Sequence, residues 1–271
     1  MNPAATACVC EAVKERKMIY ILGGNGFVGS AFSRLFGRLG LKHQVITLEN
    51  YQDFVGSSCE VFVNANGNSS KILATREPLK DFEANVRSTR ASLEDFKAGF
   101  YIHLSSCDVY PDCSSPLTTQ EELPIELHRQ SPYGFHKLLA EQCIQHACPR
   151  WLIVRQGGFV GPGLKKNAIF DILSGGPLWL NPKSELQFLH TDDSARLIWS
   201  LYEQGVANTT INVCGQGVVK LQEAVAAAGR ECKVQPDSRL VRYEVSTEKA
   251  SSYIQLPDSR STVLRFISEM K

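Results

Sequence analysis

MIYILGGNGFVGS, residues 18–30, is the stretch that decides the fold of this chain. An aliphatic run leads into glycines spaced G-x-x-G-x-x-G, and apolar residues then recur at helical i, i+3, i+4 spacing as far as Leu39. Strand, glycine turn and helix in this order are typical of a dinucleotide site. Gly23 makes the turn, Gly26 admits a pyrophosphate and Gly29 allows close helix packing. The N–H groups that begin the helix would face the anion. An ordinary strand-to-helix turn is the alternative.

The composition limits the possible function classes. The 271 residues, of which 43% are hydrophobic and 21% charged, are typical of a globular protein with one large α/β domain or two small ones. A net charge of +1 gives no electrostatic footprint for nucleic acid or an anionic membrane. No apolar run approaches the roughly 18 residues of a transmembrane helix. We therefore expect neither a nucleic-acid partner nor a membrane anchor.

The nine cysteines and the first residues bear on the cellular location. No cysteine pair forms C-x-x-C, and neither Cys8/Cys10 nor Cys143/Cys148 has zinc-ligand spacing, so we expect free thiols in a reducing cytoplasm and no metal site. Residues 1–17 lack the features of a signal peptide. We interpret them as a disordered leader or an upstream extension, with Met18 as an alternative start.

Strand and helix patterns alternate along most of the chain, which predicts an α/β fold: a Rossmann-type, doubly wound parallel sheet with a small C-terminal substrate-binding cap. After the first strand, the further strands of the sheet are predicted at 43–48, 60–65, 100–104, 151–154 and 210–213. We assign 18–163 to a dinucleotide-binding domain and 164–271 mainly to a small substrate-binding region. Within the latter, 192–213 return a helix and a strand to the sheet.

Polar residues at the ends of the predicted strands indicate the cofactor. Glu49 lies some 20 residues beyond the glycines, where an acidic side chain accepts hydrogen bonds from the adenosine ribose and repels a 2′-phosphate. This favours NAD over NADP, unless Glu49 is only a solvated loop carboxylate. The polar loop 66–70 follows the third strand, at the edge where such sheets bind ligands. Asn85 lies in a helix predicted over 78–97 and is unfavourable there unless its amide is used elsewhere.

Three side chains are brought together by the predicted topology. Ser106 follows the fourth strand, whereas Tyr133 and Lys137 lie at i and i+4 on one face of a helix that begins at Ser131-Pro132. That helix should pack beside the strand end. Lys137 would lower the pKa of the tyrosine so that the phenol can serve as acid or base, and Ser106 would donate to the substrate oxygen. A Y-x-x-x-K pair alone is weak, but its order after the glycine loop and Ser106 strengthens it.

From Met18 to Lys271 the sequence resembles the extended short-chain dehydrogenase/reductases, the NAD-dependent epimerase/dehydratase family. The matching segments are GGNGFVG (23–29), LEN (48–50), ANV (84–86), HLSSCDVY (103–110), SPYGFHK (131–137), VRQGGFVGPG (154–163), FLHTDDSAR (188–196) and YEVSTEKA (243–250). The resemblance implies a Tyr–Lys–Ser catalytic set, a nicotinamide cofactor and a small domain that closes over a substrate, commonly a nucleotide sugar. It also implies a homodimer through 79–97 and 133–147.

The expected site residues follow from these motifs. We expect catalytic roles for Ser106, Tyr133 and Lys137. The expected cofactor contacts are Gly23, Gly26, Phe27, Val28, Gly29, Glu49, Asn50, Ala65, Asn66, Asn85, Ser105, Tyr133 and Lys137. The expected substrate contacts are Asn68, Ser106, Asp108, Tyr133 and Arg155, although Asp108 can equally be a loop carboxylate and Arg155 can equally be paired with a carboxylate. We expect His136 to be solvated.

Departures from the family pattern narrow the reaction. Sugar 4,6-dehydratases carry an Asp-Glu pair after the catalytic Ser or Thr; here Cys107 and Asp108 stand there, which disfavours dehydration. Gly158 replaces an asparagine of many nucleotide-sugar enzymes. The first hypothesis is an NAD-dependent epimerase or ketoreductase for a nucleotide-linked sugar, and the second is the same chemistry on a non-sugar carbonyl or alcohol. A non-catalytic NAD(P)-binding sensor is the third, against which the intact Tyr133 and Lys137 argue.

Overall fold

The computed structural model of the chain describes residues 18–271, so the interpretation of residues 1–17 and of Cys8 and Cys10 lies outside the described residues. The strands are β1 (Ile19–Leu22), β2 (His43–Ile46), β3 (Ser58–Asn64), β4 (Lys97–Ser106), β5 (Trp151–Gln156), β6 (Gly158–Val160), β7 (Leu178–Leu180), β8 (Glu185–Leu186), β9 (Phe188–His190), β10 (Thr209–Asn212), β11 (Val219–Lys220), β12 (Val234–Arg239) and β13 (Arg242–Tyr243). The α-helices are α1 (Gly29–Arg38), α2 (Tyr51–Phe54), α3 (Lys71–Arg76), α4 (Pro78–Phe82), α5 (Ser88–Asp95), α6 (Pro132–Ala147), α7 (Ala168–Ser174), α8 (Thr191–Glu203), α9 (Leu221–Ala228), α10 (Glu248–Ser251) and α11 (Ser259–Glu269).

The central sheet has six parallel strands in the order β10-β5-β4-β3-β1-β2. From β1 the chain first builds outward to β2 and then crosses to β3 on the other side. The strand order therefore reverses beside β1, and such a switch point opens a ligand-binding crevice at the carboxyl ends of the strands. The expected doubly wound, Rossmann-like sheet is confirmed.

Strand β1 shows why the sheet is covered on both faces. Its side chains alternate: Ile19 and Ile21 belong to the core under α1 and α8, whereas Tyr20 and Leu22 belong to the core on the opposite face. All four are buried, because successive strand residues point to opposite faces and each face carries a helical layer. A continuous apolar strand of this kind is the mark of a parallel sheet covered on both sides.

The C-terminal part of the chain builds a second core. Apolar residues of α7, α9 and α11 pack with β11 around Ile169, Ile172 and Phe266. Small sheets accompany it, ordered β11-β8-β13, β12-β7 and β6-β9. In contrast, α8 packs against α1, and β10 pairs with β5 in the central sheet. Among residues 18–271, no helix combines the length and apolar character that crossing a membrane requires.

Several boundaries differ from the sequence predictions. The short helices α2 and α3 were not predicted, and β4 runs on through Ser105 and Ser106. The helix expected over 78–97 consists of α4 and α5 joined by a π-helical turn, Glu83–Arg87, which has Asn85 at its centre. π-helical turns occur preferentially at functional sites.

Candidate active site

The glycine-rich loop lies at the carboxyl end of β1, where the strand order reverses. The amide of Gly26 donates to the carbonyl of Gly23 at 2.9 Å, and α1 begins at Gly29 directly after the turn. A Cβ atom on Gly29 would lie 2.3 Å from the Gly23 oxygen, so only glycine permits this approach of helix and loop. Phe27 and Val28 occupy the last turn before the helix. The loop thus has the form that a pyrophosphate requires.

The acidic turn after β2 presents a carboxylate to solvent. Glu49 is fully exposed, and hydrogen bonds from Thr47 and from its own backbone lower its pKa, so it is anionic at neutral pH. Asn50 has a structural part in the turn, since its Oδ1 accepts from the Thr47 amide at 2.7 Å and its Nδ2 donates to the Val45 carbonyl at 3.1 Å. Glu49 is therefore available to a ribose, whereas the Asn50 side chain shapes the turn.

Other residues expected at the cofactor lie at the ends of β3 and β4. Ala65 and Asn66 follow β3, and the Asn66 amide donates to Asn64 Oδ1 at 3.0 Å. Ser105 is buried, and its hydroxyl donates to the Glu141 carboxylate, so this side chain points into the protein. Asn85 in the π-helical turn is also buried.

Ser106, Tyr133 and Lys137 come together at the carboxyl end of β4. Ser131 caps α6 by accepting from the Gly134 amide at 3.1 Å, with Pro132 at the first helical position. A Cβ on Gly134 would lie 2.1 Å from the Asp108 carbonyl oxygen. Gly134 therefore lets α6 approach the segment after β4, which brings the adjacent Tyr133 to Ser106. We interpret Gly134 as a residue that positions the site, a role that the sequence alone did not reveal.

The electrostatics of Tyr133 differ from the expectation. Burial raises the pKa of Tyr133 above its ordinary value and the charge of Asp108 raises it further, while a hydrogen bond with Ser106 lowers it. The ammonium of Lys137 lies 5.8 Å from the centre of the phenol ring. The net shift is thus opposite to the expected lowering by Lys137, because burial and the charge of Asp108 outweigh the hydrogen bond with Ser106.

Lys137 is a buried ammonium. Burial lowers the pKa of Lys137 to about 8, although the charges of Asp81 and Glu141 oppose this shift. A lysine with this pKa is still largely protonated at neutral pH but carries a desolvation penalty. It can thus act as a charge in the site.

The carboxylate of Asp108 contacts Ser106 and two side chains from other parts of the chain. Its Oδ1 accepts from Lys71 Nζ at 2.7 Å, its Oδ2 accepts from Ser106 Oγ at 3.3 Å, and the hydroxyl of Tyr243 approaches Oδ1 at 3.5 Å. Tyr243 belongs to β13 of the C-terminal part. Asp108 therefore touches both the serine of the site and the region expected to cover a substrate.

The other residues expected at the substrate have partners within the protein. Arg155 is buried, and its guanidinium makes contacts of 2.7 and 3.1 Å with Glu141 and of 2.9 Å with the Tyr110 hydroxyl. Burial lowers the pKa of Arg155, but the Glu141 charge outweighs it and leaves that pKa raised. The structure thus corresponds to the carboxylate-paired alternative for Arg155. Asn68 donates to Asp81 at 2.7 Å and ties the loop 66–70 to α4.

The comparisons with known proteins agree with this geometry. The model of the NAD dependent epimerase/dehydratase family matches residues 19–214, most of the chain. The chain belongs to this family. Membership confirms the expectation of an NAD-dependent oxidoreductase or epimerase with NAD as cofactor. No curated protein matches the chain at a significant level.

Solved structures share the fold of this epimerase/dehydratase family member at low sequence identity. RMD from Pseudomonas aeruginosa, complexed with NADPH, has a TM-score of 0.75 and 19% identity over 94% of this chain and 99% of that chain. A UDP-galactose 4-epimerase has a TM-score of 0.75 and 20% identity over 93% and 98%. UDP-glucuronic acid 4-epimerase from Bacillus cereus, in complex with UDP-glucuronic acid and NAD, has 0.71 and 18% over 94% and 100%. At these identities the likeness shows the fold alone.

Two residues of this family member were missed or misread in the sequence. Asp81 in α4 is completely buried, and His136 is buried with its Nδ1 2.7 Å from Asp81 Oδ2. The expectation of a solvated His136 is wrong, because its partner lies 55 residues away on another helix. No local signal marked the burial of Asp81, because in the helix expected over 78–97 it does not lie on the face that carries Leu79 and Phe82.

Proposed function

We propose that this chain is an NAD-dependent epimerase or ketoreductase that acts on a nucleotide-linked sugar through Tyr133, Lys137 and Ser106. The observation that carries the proposal is the convergence of a buried phenol, a buried ammonium and a serine hydroxyl at the edge of the sheet that also carries the glycine-rich loop. A phenol and a hydroxyl that meet at one point can bind a single carbinol or carbonyl oxygen. A structural tyrosine would not need that arrangement.

The fit to NAD rests on features of the described residues. The loop from Gly23 to Gly29 admits a pyrophosphate, Glu49 is free for the adenosine ribose, and Asn85 Oδ1 is a buried acceptor without a partner among residues 18–271. When bound, NAD supplies the hydride acceptor and, in its oxidised form, a positive charge. Lys137 and Asn85 would hold the nicotinamide side of the cofactor.

The proton chemistry belongs to Tyr133. During oxidation of a carbinol its phenolate oxygen would take the hydroxyl proton, and during reduction of the ketone it would return one. Ser106 Oγ would donate to the same substrate oxygen and hold it in place. The charge of Lys137 would favour the phenolate, since the raised pKa of Tyr133 must fall for the transfer. An epimerase returns the hydride to the opposite face, whereas a ketoreductase stops after one transfer.

Dehydration is not favoured by the residue beside Ser106. Cys107 is buried, its Sγ lies 3.6 Å from Cys214 Sγ, and burial raises the pKa of its thiol well above its ordinary value. A buried thiol turned toward a second thiol cannot protonate a leaving hydroxyl. Asp108 remains the acidic group near the substrate oxygen.

A nucleotide-linked sugar is the substrate class we favour. Two proteins of similar fold are named for UDP-galactose and UDP-glucuronic acid. Gly158 supports the second candidate, a non-sugar carbonyl or alcohol. A Cβ there would lie 2.8 Å from the Gln187 carbonyl and 2.9 Å from the Phe188 ring, so the asparagine of many nucleotide-sugar enzymes does not fit.

We further propose that the chain forms a homodimer through the helices of 79–97 and 133–147. Leu79 is 81% exposed, and Phe82 and Phe135 are also exposed in this region. Such side chains favour burial against a second copy. Light scattering should give twice the monomer mass at micromolar concentration, and a monomer there would contradict the dimer.

A binding panel and one variant test the proposed function. Thermal shifts would be measured with NAD, NADP and the UDP, dTDP, GDP and CDP nucleotides; a ligand at 100 times its Kd adds about 2.7 kcal/mol. Shifts with NAD and one nucleotide support the sugar enzyme, and a shift with NAD alone supports the second candidate. Tyr133→Phe should retain NAD binding but lose about 10²–10⁴-fold in turnover. Unchanged turnover in Tyr133→Phe would refute the catalytic role of Tyr133. A wild-type protein that neither binds NAD or NADP nor carries co-purified NAD would refute the proposed enzymatic activity.

A further inference from the structure

Asp81 has an unusual environment for a carboxylate. It is 0% exposed, and its Oδ1 accepts from Asn68 Nδ2 and from Asn85 Nδ2, each at 2.7 Å. Its Oδ2 lies 2.7 Å from His136 Nδ1, and the imidazole packs edge-on against Phe82. Among residues 18–271, Asp81 forms no ion pair with a lysine or arginine within 4 Å. Burying a carboxylate costs free energy of desolvation, which an opposite charge nearby can offset.

A comparison of the charged and titratable groups around Lys137 identifies Asp81 as its counter-charge. Glu141 on the same helix is paired with Arg155 at 2.7 Å, so its charge is matched. His103 on β4 is neutral, because burial and the Lys137 charge lower its pKa to about 3. Tyr133 on the same helix is an uncharged phenol at neutral pH. Both carboxylates raise the pKa of Lys137 against the effect of burial, Asp81 more than Glu141, and Asp81 has no lysine or arginine partner of its own among residues 18–271.

Asp81 also determines which end of the Asn85 amide faces the site. The amide nitrogen is held by Asp81, so the oxygen points away from the carboxylate and is buried without a partner among the described residues. A single point beside Gly67, the position of an added Cβ, lies 2.4 Å from Asn85 Oδ1 and 3.2 Å from Lys137 Nζ. An acceptor and an ammonium donor therefore converge on the same small space.

We propose that Asp81 and His136 are positioning residues for this pair: Asp81 fixes the Asn85 amide and supplies the counter-charge of Lys137, and His136 holds the Asp81 carboxylate in place. The role of Lys137 and Asn85 toward NAD rests on the proposed function. The arrangement of Asp81 and His136 does not, since it is complete without a ligand.

The effect of the Asp81 charge is tested by measuring the pKa of Lys137. Lysine labelled with ¹³C at Cε reports protonation by NMR, and Lys137→Arg assigns the signal. Wild-type Lys137 should titrate near pH 8. Asp81→Asn should lower that midpoint by about one unit or more, since an opposite charge nearby shifts a pKa by about 1–3 units. Asp95→Asn is the matched control: its carboxylate accepts from the Tyr51 hydroxyl at 2.8 Å near the opposite end of β4, and the midpoint should not change.

The His136 arm does not depend on whether Asp81→Asn folds. His136→Asn keeps an amide donor close to the Nδ1 position, whereas His136→Ala removes it. We expect NAD affinity to fall about tenfold in His136→Ala and to stay within about twofold of wild type in His136→Asn, because one hydrogen bond to a charged group is lost only in the first. Calorimetry of the intact, folded proteins measures this difference.

The outcomes separate this inference from the proposed function. An unchanged Lys137 midpoint in Asp81→Asn overturns the counter-charge, and equal NAD affinities of His136→Ala and His136→Asn overturn the positioning role. If Asp81→Asn does not fold, the Lys137 midpoint in His136→Ala replaces it: a shift supports the inference, and no shift contradicts it. A wild-type protein that binds no NAD refutes the proposed function, while the lysine titration still decides the inference.

Discussion

Replacement of Glu141 by glutamine removes the charge that pairs with Arg155 in the interior. The side chains of both residues are nearly inaccessible, at 0% and 5% exposed. The loss would leave the guanidinium buried beside the neutral hydroxyl of Tyr110. Breaking a buried pair from one side costs about 3–5 kcal/mol. For a protein of this size, where about 2–4 °C of Tm corresponds to each kcal/mol, we expect Tm to fall by about 6–20 °C.

Urea unfolding followed by fluorescence of Trp151 and Trp199 measures the cost. The matched control is the double variant Glu141→Leu/Arg155→Met, in which no charge is left unpaired. We expect it to lose clearly less than the sum of the single replacements, since apolar substitution of a whole buried pair is often near neutral. If each single replacement costs less than about 1 kcal/mol, as surface pairs do, the structural role of Arg155 is wrong and a substrate role returns.

Three further outcomes are expected. Glu49→Gln should reduce the preference for NAD over NADP by about tenfold in calorimetry, because it removes the repulsion of a 2′-phosphate and a charged acceptor for the ribose hydroxyls; an unchanged ratio would contradict the role of Glu49. Asp108→Asn should lower the pKa of Tyr133, observed as tyrosinate absorbance at lower pH, whereas the exposed Asp112→Asn should have no effect on Tyr133. Lys137→Met should stabilise the fold by roughly 3 kcal/mol at pH 7. The folded pKa of about 8 lies below the ordinary 10.5, so the wild-type penalty is present below pH 8 and is relieved as pH rises toward 10.5; a constant difference in urea unfolding would refute the shift.

The fold could be predicted because its signals are local. The continuous apolar run of β1, the glycines after it and the helical period of α1 lie within some twenty residues. Strands β3, β4 and β5 carry apolar runs of their own, VFV (61–63), FYI (100–102) and WLIV (151–154). In contrast, α2 has four residues and α3 has six, too few turns to show a period. Strand β4 extends into the polar residues Ser105 and Ser106 because its neighbour β5 continues the ladder beside them, with Arg155 and Gln156 as their pairs.

The sequence could predict those site residues whose proximity follows from the order of strands and helices along the chain. Ser106, Tyr133 and Lys137 follow from one strand end and one helix face. The partners of Arg155 and His136 come from contacts between distant elements, which no spacing in the sequence encodes. The pKa of Tyr133 was misjudged for the same reason, since burial depends on the assembled fold.

The π-helical turn between α4 and α5 sets the rotation of one helix relative to the other, so the number of residues in this segment cannot change without a loss of contacts. Each helical residue rotates the chain by about 100°, so one residue more or less in Glu83–Arg87 would turn α5 relative to α4 by that angle. Asp81 before the turn would still face α6, but Thr89 after it would lose Asn64, which now donates to it at 3.3 Å. Single-residue deletions here should therefore be far more damaging than substitutions of exposed residues such as Glu83, and sequences of functional relatives should show no gaps in this segment.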